Sequence, residues 1–140
     1  MAISPDVVEY VRTLVRDDHE ANDQIEVRFG DGKWGEAVAS FMSAVFFYAM
    51  DLRFQGKCDD RSILAFVAEL RSQNPEFEMD PKVAERVIAA TLDDGLELAV
   101  TPEALGAIQT LAAYKALSEA NLSDAELDAL LHDAARLAVG

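Results

Sequence analysis

The sequence predicts an all-α fold: one domain over residues 1–140, six helices packed orthogonally or irregularly around a central apolar helix at about 34–55. Three observations carry this. The run from Ala37 to Met50, AVASFMSAVFFYAM, holds no charge, and Ser40 and Ser43 are its only strongly polar residues. It is too short for a membrane span, which needs ~20 predominantly apolar residues, so its burial must come from its own protein. Three capping residues stand directly before a proline, at Ser4-Pro5, Asp80-Pro81 and Thr101-Pro102; proline is tolerated at the first helical position because its missing N–H would have lacked an intrahelical partner. Between these marks apolar residues recur at three- and four-residue spacing, the period of amphipathic helices.

The first helix, 5 to 29, shows Val7, Val8, Val11, Leu14 and Val15 on one stripe, which resumes at Ile25. Near its end Ile25, Val27 and Phe29 alternate with Glu26 and Arg28, which also fits a short strand turning through Gly30-Asp31-Gly32 into Lys33-Trp34. A lone hairpin is only marginally stable, so helix is the preferred reading. The second helix, 34 to 55, is the apolar one. The third, 60 to 73, can be capped by Asp59 or Asp60 and carries Ile63, Leu64, Phe66, Val67 and Leu70. The fourth, 81 to 93, carries Val83, Val87, Ile88 and Leu92; the fifth, 102 to 120, carries Leu105, Ile108, Leu111 and Ala112. The sixth, 124 to 138, opens on Ser123-Asp-Ala-Glu126, a capping box, and carries Leu127, Leu130, Leu131, Ala134 and Leu137. The connections are short and hold breakers such as Gln55-Gly56-Lys57, Asn74-Pro75, Asp94-Gly95 and Asn121; none reads as a linker.

Charge narrows function. Acidic residues outnumber basic ones 26 to 12, a formal net charge of −14, with no basic cluster for phosphate contacts, so direct nucleic-acid binding is not expected. The acidic residues are dispersed and half the chain is apolar, the composition of a folding domain rather than a disordered tail. Cys58 is the single cysteine and the N-terminal stretch MAISPDVVEY lacks the pattern of a secretory signal, which points to the cytoplasm and away from the membrane. Alanine-rich, arginine-over-lysine usage resembles that of a GC-rich bacterial genome.

Most motif-like features fail a chemical test. Gly30-Asp31-Gly32-Lys33-Trp34-Gly35 lacks the GxxxxGK spacing, followed by Ser or Thr, that cradles phosphate. Asp93-Asp94-Gly95-Leu96-Glu97 lacks the alternating ligands and twelfth-position glutamate of a calcium loop. Cys58 precedes Asp59 and Asp60, whose charges disfavour a thiolate. His132 points away from the stripe of its helix. His19 and Asp23 stand at i and i+4 and resemble a zinc-protease helix with Asp in place of the second His of HExxH, yet no third ligand is visible. No Glu-x-x-His pair occurs either. They are weak candidates, and no metal or other cofactor is expected.

Two irregularities remain. On the first helix Asp18, Ala21 and Asn22 occupy positions where the apolar stripe should continue, so the helix bends or ends there, or Asp18 and Asn22 line a small polar pocket. On the second helix Lys33, Glu36, Ser40, Ser43 and Asp51 form a polar stripe that also contains Phe47 and Phe54, either as core rings or as an apolar patch ringed by polar groups. The functional expectation is a non-catalytic protein–protein interaction or regulatory module, working through Ser40, Ser43, Phe47, Asp51 and Phe54, with a second copy or a basic protein as partner. The alternative is a small-ligand or metal-dependent activity centred on Asp18, His19, Asn22 and Asp23.

Overall fold

A computed structural model describes residues 5–29, 36–54, 60–92 and 102–139, and every secondary-structure element in them is an α-helix. In chain order these are α1 (Pro5–Val15), α2 (His19–Phe29), α3 (Glu36–Phe54), α4 (Asp60–Gln73), α5 (Pro81–Leu92), α6 (Pro102–Glu119) and α7 (Asp124–Val139). The all-α bundle matches the expectation, but the helix expected over 5–29 is two helices.

The break lies at Asp17, whose φ is 57°, the left-handed region. The Asp18 N–H donates to the Thr13 carbonyl at 3.0 Å and the Asp17 N–H to the Leu14 carbonyl at 3.2 Å. These two bonds form a Schellman ending, a role glycine usually fills and that a short polar side chain tolerates. Asp18 then caps α2: its carboxylate accepts from the Ala21 N–H at 3.3 Å and its carbonyl from the Asn22 N–H at 3.0 Å. Residues 25–29 continue α2, so the strand alternative for them does not hold; Ile25 is buried while Val27 is 82% exposed, as a helix of this phase requires. Lys33 and Trp34, with the rest of 30–35, lie outside the described residues, as do Cys58 and 93–101.

The other starts follow local chemistry. The Asp80 carboxylate accepts from the Lys82 N–H at 2.9 Å, capping α5 behind Pro81. At α7 the capping box is complete: Ser123 N–H donates to Glu126 at 2.9 Å and Glu126 N–H to the Ser123 hydroxyl at 3.1 Å. Asn121, with φ of 53°, ends α6.

α3 is the centre. It packs most extensively along α6 and α7 and more lightly on α5, while α1 pairs with α2 and α4 with α5. Phe41, Val45, Phe46, Ala49 and Met50 of α3 are fully buried, against a core that includes Phe66, Leu70, Ile88, Leu117, Leu127 and Leu131. Each large side chain buried there contributes about 1.5–3 kcal/mol relative to exposure, which makes α3 the chief source of core burial. The stripes are wider than the faces that bury them: Leu64 of α4 and Leu137 of α7 share the apolar period yet stand exposed. No described helix is long and apolar enough to cross a membrane.

Candidate functional site

The first candidate locus is the α1–α2 turn. Asn22 is buried and turned into α1, its side-chain N–H₂ donating to the Tyr10 carbonyl at 3.0 Å and the Thr13 hydroxyl oxygen at 3.1 Å. Both donors are thereby used to hold α2 on α1. Asp18, His19 and Asp23 are all exposed, and Asp18 is engaged in the cap. The four residues therefore do not converge on an enclosed pocket. Among the described residues no group of three or more His, Cys, Asp or Glu side chains is placed to hold a metal ion.

Around this turn, ion pairs and hydrogen bonds tie α1 to the α6–α7 corner. The Tyr114 hydroxyl donates to the Asp17 carboxylate, and this bond, with partial burial behind it, raises the tyrosine's pKa above its ordinary 10.0. Arg16 donates to the Leu122 carbonyl at 2.8 Å and pairs with Asp124 at 3.1 Å, while Arg12 bonds Asp128 at 2.8 Å. The polar residues that interrupt the α1 stripe thus have a structural occupation at a helix corner.

The second locus is α3 itself. Ala39, Ser43, Phe47 and Asp51 repeat every fourth residue and form its exposed line, with Ser40 half-buried beside it. The Ser43 hydroxyl donates to the Gln109 side-chain oxygen of α6 at 3.1 Å. Phe47 is 39% exposed and meets Tyr48 edge-on with ring centroids 5.3 Å apart. Phe54 does not belong to this open surface. It is 6% exposed and packs edge-on against Phe66 of α4 at 5.7 Å, because α4 closes over the C-terminal end of the stripe. The open face is instead extended by Leu137 of α7, 48% exposed. Leu137 shares one shallow depression with Ser40 and Ser43 and another with Tyr48, Asp133 and Arg136. It therefore lies alongside the exposed line of α3. His132, on the same helix, is exposed.

Two further features carried no sequence motif. Lys115 of α6 is 3% exposed, with its ammonium 3.0 Å from Glu69, paired to Glu119, and 5.6 Å from the centre of the Phe66 ring. Glu119 is held below its ordinary pKa of 4.5, chiefly by the hydrogen bond from Lys115. The signal for Lys115 is periodic: it stands seven residues after Ile108, on the buried face of α6. The other feature is an apolar cleft between α1, α3 and α6, lined by residues that include Val38, Met42 and Leu105; the glycine at 106 within a helical pattern is its sequence trace.

Comparison of the chain with protein-family models, with curated proteins and with solved structures finds no match.

Proposed function

We propose that this chain is a non-catalytic interaction module that engages a basic protein through the open α3–α7 face. The observation that carries the reading is the exposure of two large apolar residues on helices packed against each other, Phe47 on the exposed line of α3 and Leu137 of α7, which meets that line at Ser43, with the polar residues Asp51, Asp133 and Arg136 on the same two helices. An aromatic and a leucine in water, ringed by polar groups, form the pattern of a contact surface whose centre is apolar and whose rim is wet. The net charge of −14 favours a cationic partner over a second copy: two such chains repel, whereas a Lys- and Arg-rich partner is drawn in at an accelerated rate that salt reduces. The same charge disfavours duplex nucleic acid.

A photo-reactive side chain placed at Phe47 in the native host tests this. The expected product is a covalent adduct with a protein rich in Lys and Arg, lost when Leu137 is also changed to Ser. The control places the photo-reactive group at Leu64, which is exposed on α4 away from this face. Adducts only with a second copy, or equal adduct yields from both positions, contradict the reading.

A further inference from the structure

The cleft between α1, α3 and α6 adjoins the α3–α7 face at Ala39 and Ser43, but its other walls come from α1 and α6 and not from α7, and it has the dimensions of a small-molecule site. It encloses about 440 Å³, inside the range of roughly 300–1,000 Å³ typical of ligand pockets. Val11, Val38, Phe41, Met42 and Leu105 supply apolar walls, and among the described residues no lysine or arginine lines it. Its polar groups are few and mostly engaged. The Thr110 hydroxyl donates to the Gly106 carbonyl at 2.8 Å, and the Tyr10 hydroxyl to Glu26 at 3.4 Å. The Gln109 side-chain oxygen accepts from Ser43, which leaves the Gln109 amide N–H₂ at the cleft as a donor with no partner among the described residues.

Gly106 is the second observation. It sits in the interior of α6, where glycine is a poorer helix former than alanine because it loses more backbone freedom on folding. The usual structural reasons for such a glycine are a left-handed φ or a close approach by a neighbour. Neither applies: its φ is not positive, and a Cβ built there meets nothing within 4 Å. That Cβ would enter open space in the wall of the cleft.

We propose that this cleft binds a neutral or cationic, mainly apolar small molecule that presents a hydrogen-bond acceptor to Gln109, and that Gly106 keeps the volume free for it. An anionic ligand is disfavoured because the described lining holds no cation and the lining residue Tyr10 carries Glu26 on its hydroxyl.

The test uses the full chain and the neutral, carbonyl-bearing fluorophore 6-propionyl-2-(dimethylamino)naphthalene. The expected result is saturable binding at one site with blue-shifted emission and movement of the Met42 methyl resonance. Gly106→Leu fills the cleft and abolishes binding, while its melting temperature is not lowered. Gln109→Leu weakens binding roughly tenfold, the factor one neutral hydrogen bond supports. Phe47→Ser leaves binding unchanged, which separates this site from the α3–α7 face. The anionic analogue 1-anilinonaphthalene-8-sulfonate binds more weakly than the neutral fluorophore. Absence of saturable binding, binding that leaves the Met42 methyl unmoved, or full binding by folded Gly106→Leu overturns the site; equal or tighter binding of the sulfonate overturns its charge class. Should Gly106→Leu fail to fold, the Met42 resonance in the unaltered chain decides.

Discussion

Truncating Phe54 and Phe47 separately to alanine measures how α3 divides between core and open face. Phe54 is 6% exposed and stacked edge-on against Phe66. Its removal loses the transfer energy of the ring and leaves a cavity between α3 and α4, at a cost of about 3–5 kcal/mol. Phe47 keeps 39% of its surface in water. Full burial of such a ring is worth about 1.5–3 kcal/mol, so roughly three-fifths of that, about 1–2 kcal/mol, is at stake, with no sealed cavity because water occupies the vacated space. At about 2.1 cal/mol/K per residue, unfolding of a 140-residue chain carries an entropy of roughly 0.3 kcal/mol/K near its midpoint. The expected falls in melting temperature are therefore about 10–17 °C for Phe54→Ala and about 3–7 °C for Phe47→Ala. Calorimetric melts at matched concentration, with urea unfolding as a second measure, read both. Equal losses, or a larger loss at Phe47, would refute the division of the stripe.

Three other outcomes are expected. Asn22→Ala leaves the Tyr10 carbonyl and Thr13 hydroxyl without their bonds from Asn22 and costs about 1–3 kcal/mol in urea unfolding; Asn22→Asp, which cannot donate when ionised and turns a charge toward that carbonyl, costs more. Gly106→Ala raises the melting temperature, because the added methyl meets open space while alanine is the better helix former by roughly 0.5–1 kcal/mol; a fall would show that the backbone at 106 is constrained. The pH profile is limited on both sides. Glu119 has a folded pKa below its ordinary 4.5, so its contribution is fully present above 4.5 and lost as pH falls through the lowered value. Tyr114 has a folded pKa above 10.0, so its contribution is present below 10.0 and lost as pH rises through the raised value. Lys115→Met reduces the acid-side dependence that Glu119 supplies, since Lys115 is the chief cause of its lowered pKa, while leaving neutral-pH stability little changed, since Glu69 and Glu119 reach water; Asp17→Asn reduces the alkaline dependence of Tyr114. Melts across pH 3–11 would read both limbs, and an unchanged acid limb in Lys115→Met would refute the first.

The features legible in the sequence are those set by neighbours along the chain. Asp80-Pro81, the Ser123–Glu126 box and Asn121 act through contacts within a few residues, and each stands where its pattern puts it. The uncharged run of α3 dictated its central burial for the same reason. The polar interruption at Asp18 and Asn22 allowed the first helix to bend or end there, as it does, but did not fix the break, because the left-handed turn at Asp17 is formed without glycine and the stripe on its far side resumes in phase at Ile25. Phe54 shares a helical face with Phe47, and only a ring from distant α4 tells them apart. Leu64 and Leu137 keep the apolar period but find no partner, because helical periodicity defines a face and not what covers it. Within the candidate site, Ser43, Phe47 and Asp51 were visible by phase alone. Leu137 and the α1–α3–α6 cleft were not, since they arise where separate helices meet.

Both proposed sites are built on α3, one on its open side and one against its N-terminal half, so the rigidity of that helix is the claim everything else requires. Residue-resolved native-state hydrogen exchange tests it most directly. The account predicts that the amides of Phe41–Met50 exchange only through global unfolding, while those of α2 and of the α4–α5 pair open at lower free energy. Amides of α3 that exchange by local opening, more readily than those of α4 and α5, would contradict it.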